Sequence, residues 1–378
     1  MKAAGAEVWF APGRANLMGE HTDYNEGFVL PFALAQGVTA TASARDDGLL
    51  VLRSKQVPDN LVAVPLDSLA PGTVAGWAAY PAGVAWALRA AGYTVRGASI
   101  DVDSDLPVGA GVSSSAALEC SVALALCSLA GVPVPRQELA AIARRAENEF
   151  VGAPTGIIDQ SAALLCQEGH ALLLDCGTLE ATQVPFLPAA AGASALVIDT
   201  RVTHALVSGE YAARRAECEA AARLLGVPAL GTVTDLRALD KLGHTVLRRR
   251  ARHVITDSAR ARAIAAALQG RDGIDAGANQ RKIYAFIGKL LAEGHASLRY
   301  DFEVSWPEAD VTVEAAVAAG AYGAKMIGGG FGGSVLALVP AGKVRAVRAA
   351  VTETFSARGW APPEFLDAIP SPPARQLS

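Results

Sequence analysis

The chain has 378 residues, 51% of them hydrophobic, and a net charge of −4. That length holds one large domain or two ordinary ones around a sizeable core. The charge leaves no basic surplus for a nucleic acid or an anionic membrane surface, so neither is expected as a partner. Five cysteines (Cys120, Cys127, Cys166, Cys176, Cys218) are scattered without a CxxC pair, which predicts reduced thiols and a cytoplasmic setting. The opening MKAAGAEVWFAPGR lacks the apolar segment of a secretory signal. The most apolar stretch, 120–135, is too short to cross a bilayer.

In chain order, EVWFAPGRANL begins as a short strand and enters a Pro-Gly turn. GVTATASARDDGLLVLRS reads as two strands around Asp-Asp-Gly. WAAYPAGVAWALRAAG is helical up to a C-terminal cap at Gly92. GASIDVDSDLP alternates as a strand does, and SSSAALECSVALALCSLAG is a helix from serine to glycine. PRQELAAIARRAENEFVG is a second helix, opened by Pro135 and closed by Gly152, and HALLLDCG is a strand. In SGEYAARRAECEAAARLLG, Tyr211, Arg215, Cys218, Ala222 and Leu225 form one helical stripe. GAYGAKMIGGGFGGSVLALVP is a glycine loop running into a strand. The mixture is α+β. The Pro/Ala/Gly-rich 184–195 is a candidate junction dividing 1–183 from 184–378.

Three segments carry chemistry. GRANLMGEHTDYNEGFVLP (13–31) places Arg14, Glu20, His21 and Asp23 close together among apolar residues. Such groups are costly to desolvate. They form a solvated loop, a metal site or a set of contacts to a polar ligand. LPVGAGVSSSAALE (106–119) sets glycines before three serines that open a helix. Helix N-termini bind anions through unpaired N–H groups. The alternative is an ordinary serine-capped helix. The lysine of a Walker loop is absent, and GGGFGG precedes a strand, which argues against a dinucleotide fingerprint. GIIDQSAALLC holds Asp159 beside apolar residues, either as a helix cap or as a reacting carboxylate.

Together these segments resemble the galactokinase family, within the small-molecule kinases that include homoserine, mevalonate and phosphomevalonate kinases. GRANLMGEHTDYNEGFVLP, LPVGAGVSSSAALE and KMIGGGFGGSVLALV occur in the family's order, and GIIDQ, SGEYAARRAEC and GHASLRYDFEVS are also similar. The resemblance implies an N-terminal domain like ribosomal protein S5 domain 2 and a C-terminal ferredoxin-like domain. It implies transfer of the ATP γ-phosphoryl to O1 of α-D-galactose, with Mg²⁺ and as a monomer. Asp159 and Arg14 fall on the catalytic positions. Glu20, His21, Asp23, Gly156 and Tyr211 fall on the sugar pocket. Gly109, Ala110, Gly111, Val112, Ser113, Ser114 and Ser115 form the phosphate loop, with Ser115 and Glu147 toward Mg²⁺. Trp77 and Tyr80 resemble the adenine-pocket aromatics, and Ser54 borders the nucleotide.

Some positions depart from the family pattern. Ile327 stands for a common threonine, Ser334 for a common cysteine and Trp306 for a frequent cysteine, and DCGTL lacks an arginine often found there. The intact SSSAA favours a catalyst over a non-catalytic galactose sensor. N-acetylgalactosamine or L-arabinose kinases are the nearest enzymatic alternatives.

Overall fold

The computed structural model describes residues 5–107, 109–203, 207–271 and 280–378. The expected turn at Pro12-Gly13 is absorbed into a strand. β1 (Glu7–Asn16) runs on through Arg14, with a register shift between Pro12 and Arg14. An irregularity of this kind re-aims a side chain. After it come β2 (Phe28–Val29), β3 (Pro31–Arg45), β4 (Leu49–Ser54) and β5 (Val57–Pro65). Val38, Ala40 and Ala42 are buried at every second position of β3, as a strand with one face on a core requires.

Helix α1 (Ala79–Ala90) and β6 (Gly97–Ser104) precede the helices α2 (Ser114–Ala130), α3 (Arg136–Arg145) and α4 (Ile158–Leu165). Helix α2 is apolar almost all round because it is central, packing on β1, β3, α1 and α4. The helix expected to run on to Gly152 changes pitch at Ala146, where a wider π turn spans Ala146–Val151. Such turns gather at functional sites, and this one carries Glu147. Next come β7 (His170–Asp175) and β8 (Ala181–Pro185).

The chain continues through β9 (Ala193–Asp199), α5 (Val207–Leu225), α6 (Val246–Leu268), α7 (Gln280–Ser297) and α8 (Pro307–Ala318). It closes with β10 (Gly323–Ile327), β11 (Ser334–Pro340), α9 (Val344–Ala357), β12 (Glu364–Asp367) and β13 (Arg375–Gln376). The expected stripe on α5 buries Cys218, Ala222 and Leu225. The glycine run is the turn between antiparallel β10 and β11.

The strands pair as β13-β1-β3-β6-β4-β5, as β10-β11-β9-β12 and as β2-β7-β8. The four-stranded sheet is antiparallel throughout. Its strand order and intervening helices fit the ferredoxin-like arrangement. A division at 183/184 cuts through β8, which pairs along its length with β7. Proline and alanine marked a junction there, but ladder pairing carries the backbone across it. Ala261, Ile264, Ile283 and Tyr284 of α6 and α7 join the core of the first half, and β13 closes its large sheet. Among the described residues no helix is long and apolar enough to cross a membrane. All five cysteines are free thiols.

Candidate active site

A cavity of about 530 Å³ opens where β1, the start of α2, the start of α4 and the β10–β11 turn meet. Arg14, Glu20, His21, Asp23, Tyr80, Gly109, Gly111, Val112, Ser113, Ser114, Ser115, Gly156, Asp159 and Tyr211 all line it. Residues from five separate stretches of sequence thus converge on one space.

The re-aimed Arg14 side chain crosses to α4. Its Nε donates to Asp159 Oδ1 at 2.7 Å, and its Nη1 donates to the Gly111 carbonyl at 2.7 Å. One guanidinium therefore ties the carboxylate to the loop before α2. Helix α4 starts at Ile158, so Asp159 sits inside its first turn and is not the residue that caps it.

The 13–31 segment is held from several sides. Glu20 is 4% exposed and pairs with the wholly buried Lys325 at 2.7 Å. Asn16 Nδ2 donates to the same carboxylate at 2.7 Å, and the Gly328 N–H donates to its other oxygen at 3.2 Å. Burial is the chief cause of a raised Glu20 pKa, with Lys325 opposing it. His21 takes a left-handed backbone, φ 61°. A carbonyl can only accept, so His21 Nε2 donates to Gly329 O at 3.1 Å and Nδ1 accepts from the Tyr24 hydroxyl at 2.9 Å. Burial, then His253, lowers the His21 pKa to about 3, so the ring is neutral. Strained backbone of this sort persists where surrounding structure over-determines it. Asp23 accepts from the Ile158 N–H at 3.3 Å, and burial followed by the Asp159 charge raises its pKa. A Cβ on Gly156 would lie 1.7 Å from Asp23 Oδ2, so only glycine leaves room for that carboxylate. His253, Asp257 and Ser297 stand behind: His253 Nε2 donates to the Glu20 carbonyl at 3.0 Å, and Asp257 accepts from the Gly19 N–H at 3.0 Å.

Ser113 occupies the cap position of α2 but makes no cap hydrogen bond, and its backbone is left-handed, φ 62°. Among the described residues its buried hydroxyl has no partner. The ordinary serine-capped helix is thereby excluded, and among the described residues no Ser113 side-chain bond caps the start of α2. Glu147 is buried, 3% exposed, and does not itself line the cavity. It accepts from Thr155 Oγ1 at 2.8 Å and Gln160 Nε2 at 2.8 Å, and the Ser115 hydroxyl also bonds it. Gln160 Nε2 also donates to the buried Glu119 at 3.0 Å. Burial raises the pKa of both carboxyl groups.

Four expected residues stand apart from the lining: Ser54, Trp77, Ala110 and Glu147, the last of which contacts it through Thr155. Ser54 turns its hydroxyl toward Gln56, 3.2 Å away. Trp77 packs against the main core, and of the two expected adenine-pocket aromatics only Tyr80 lines the cavity. Ala110 is 1% exposed and reaches the site only through its backbone. Asn16, Lys325, Gln160, Thr155, His253 and Asp257 were missed from sequence. Lys325 and Asn16 lay within quoted motifs, whereas nothing local singles out His253 or Asp257 on α6.

An uncapped helix start facing an arginine–aspartate pair, in a fold with these three sheets, defines a small-molecule kinase. Residues 79–167 match the GHMP kinases N terminal domain and residues 283–357 match the GHMP kinases C terminal. Residues 2–44 match the galactokinase galactose-binding signature. The chain is 49% identical to a galactokinase of Streptomyces coelicolor over 374 residues, covering 98% of this chain and 94% of that one. It is 45% identical to a galactokinase of Mycobacterium tuberculosis over 352 residues, covering 91% and 93%. The structure of Lactococcus lactis galactokinase complexed with galactose superposes with a TM-score of 0.91 at 32% identity, covering 98% and 95%. The chain belongs to the galactokinase family.

Proposed function

We propose that this chain transfers the γ-phosphoryl of ATP to O1 of α-D-galactose, releasing ADP and galactose 1-phosphate. The observation that carries the reading is the Arg14–Asp159 pair at 2.7 Å, set between the open helix start and the buried polar cluster of 13–31. Arg14 occupies Asp159 Oδ1 and leaves Oδ2 to accept the O1 hydroxyl. The new bond joins O1 to the γ-phosphorus as the bond to the β–γ bridging oxygen breaks. The O1 proton passes to Asp159 and the leaving oxygen remains on ADP. Phosphoryl transfer is mostly positioning plus charge stabilisation. Gly109 to Ser115 supply N–H groups and hydroxyls to the phosphates, and Arg14 stabilises charge near the transferring group.

On the sugar side, both His21 nitrogens and both Glu20 oxygens already have protein partners. Glu20 and His21 therefore shape the pocket and offer the remaining lone-pair capacity of the Glu20 oxygens. Asp23 and Tyr211 complete it.

Ser115 and Glu147 fit Mg²⁺. They pair a hydroxyl with a buried carboxylate beside the phosphate loop, and Mg²⁺ binds through one or two carboxylates, waters and substrate phosphates. Bound there, the ion neutralises charge on the phosphate oxygens. Among the described residues no cluster of three acidic, histidine or cysteine side chains offers an alternative, and Glu20, His21 and Asp23 are not gathered as ligands. Tyr80 is the residue offered to the adenine. The chain is proposed to act as a cytoplasmic monomer.

The test is ADP release from ATP and Mg²⁺ with galactose, glucose, N-acetylgalactosamine and L-arabinose. Galactose is expected to be preferred over glucose by ~10⁴-fold, since a site that bonds the axial 4-hydroxyl leaves a buried group unpaired with the epimer. Galactose binding without ADP release would establish the sensor reading instead.

A further inference from the structure

The β10–β11 turn lies against the loop preceding α2. A Cβ on Gly328 would stand 3.2 Å from the Gly111 carbonyl. Three successive carbonyls of that loop are held. The Arg14 N–H donates to Val112 O at 3.1 Å, Arg14 Nη1 donates to Gly111 O at 2.7 Å, and Ser334 Oγ donates to Ala110 O at 2.6 Å. In a trans peptide the carbonyl and the following N–H point in opposite directions. None of the described peptide bonds is cis. Holding the carbonyls of 110, 111 and 112 therefore turns the N–H groups of Gly111, Val112 and Ser113 away from those anchors. All three residues line the cavity.

Two of the three anchors come from Arg14. The third comes from Ser334, the fully buried first residue of β11. We propose that Ser334 is a positioning residue for the nucleotide: by fixing the Ala110–Gly111 peptide plane it presents the Gly111 N–H to a phosphate of ATP. The inference rests on reading 109–115 as the phosphate loop. It gives a function to a departure noted in the sequence, because a cysteine thiol is a weak donor and a serine hydroxyl a good one. Ser334 touches no substrate and acts only through Ala110, so its effect falls on nucleotide affinity and spares the sugar.

The experiment measures calorimetric binding of a non-hydrolysable ATP analogue and, separately, of galactose, for the wild type and for Ser334→Ala, Ser334→Cys and Ser115→Ala. Ser334→Ala is expected to weaken the nucleotide roughly tenfold, the size of effect that follows from leaving a buried acceptor unpaired. Ser334→Cys is expected to fall between, and galactose affinity is expected to stay within about twofold. Wild-type nucleotide affinity in both Ser334 variants overturns the proposal, as does an equal loss of galactose affinity. Should Ser334→Ala fail to fold, the cysteine variant alone decides: intermediate weakening supports the proposal and no change overturns it. Ser115→Ala separates the two readings. If it weakens the nucleotide while the Ser334 variants do not, the phosphate-loop reading stands and the Ser334 assignment falls. If none of the three variants weakens it, the loop reading falls as well.

Discussion

Asp23 is held in a space that exists because residue 156 has no side chain. Gly156→Ala would push a methyl into the carboxylate, 1.7 Å from Oδ2. It is expected to lower kcat/KM for galactose as sharply as Asp23→Ala does, and to narrow the preference over glucose. Steady-state kinetics with both sugars checks this; an alanine variant with wild-type selectivity would remove Asp23 from the specificity machinery. His21 gives a pH signature. Its pKa falls from 6.5 in the unfolded chain to about 3 in the fold, burial being the main cause. Between those values the unfolded chain binds a proton that the fold does not. Stability therefore rises with pH across that window and is lost on acidification, by about 1.4 kcal/mol per unit. Glu20 and Asp23, whose pKa values are raised, act in the opposite sense. The test is accordingly a difference: the unfolding free energy of wild type minus that of His21→Gln is expected to fall by roughly 2.5 kcal/mol from pH 6 to pH 4. A constant difference would mean that the buried ring is not neutral.

The turn between β10 and β11 reaches both halves of the site. Gly328 donates to Glu20, Gly329 accepts from His21, and Ser334 holds Ala110. Lys325, two residues before the end of β10, pairs with Glu20 while 0% exposed. Breaking a buried pair by removing one partner typically costs about 3–5 kcal/mol, and replacing both partners is close to neutral. Lys325→Met is therefore expected to lose that much in chemical denaturation, and adding Glu20→Gln should restore most of it. A single variant within 1 kcal/mol of wild type would contradict the assignment. Several elements were legible in the sequence: the serine-to-glycine apolar helix α2, the stripe on α5 and the alternating strand β6 were all expected. Pro12-Gly13 read as a turn because both residues favour one, and only pairing with β3 makes it a bulge within a strand. Ser113 read equally well as a cap, since its left-handed backbone is imposed by tertiary contacts. The roles of His253 and Asp257 depend on α6 folding back across more than two hundred residues onto 19–20, which no local pattern encodes.

At the scale of the molecule, the two halves share their cores. Side chains of α6 and α7 fill space beneath the first half, β8 spans the composition boundary, and β13 pairs with β1. A fragment of residues 1–183 would lack both the covering helices and an edge strand, and would expose the apolar surface they bury. It is expected to show no cooperative thermal transition by circular dichroism; a sharp transition would restore 1–183 as an independent domain. Interlocking also explains why a cavity between the sheets can hold buried charges in fixed geometry, since Arg14, Glu20, Lys325 and Asp159 each bond across it. The central claim is that this geometry transfers phosphate to the anomeric oxygen through Asp159. Phosphorus NMR of a reaction containing ATP, Mg²⁺ and galactose tests it most directly, run beside Asp159→Asn with galactose affinity measured in parallel. The account predicts a sugar phosphate resonance coupled to the anomeric proton, lost in the variant while galactose still binds. Phosphate on any other oxygen, or turnover near wild type in Asp159→Asn, would contradict it.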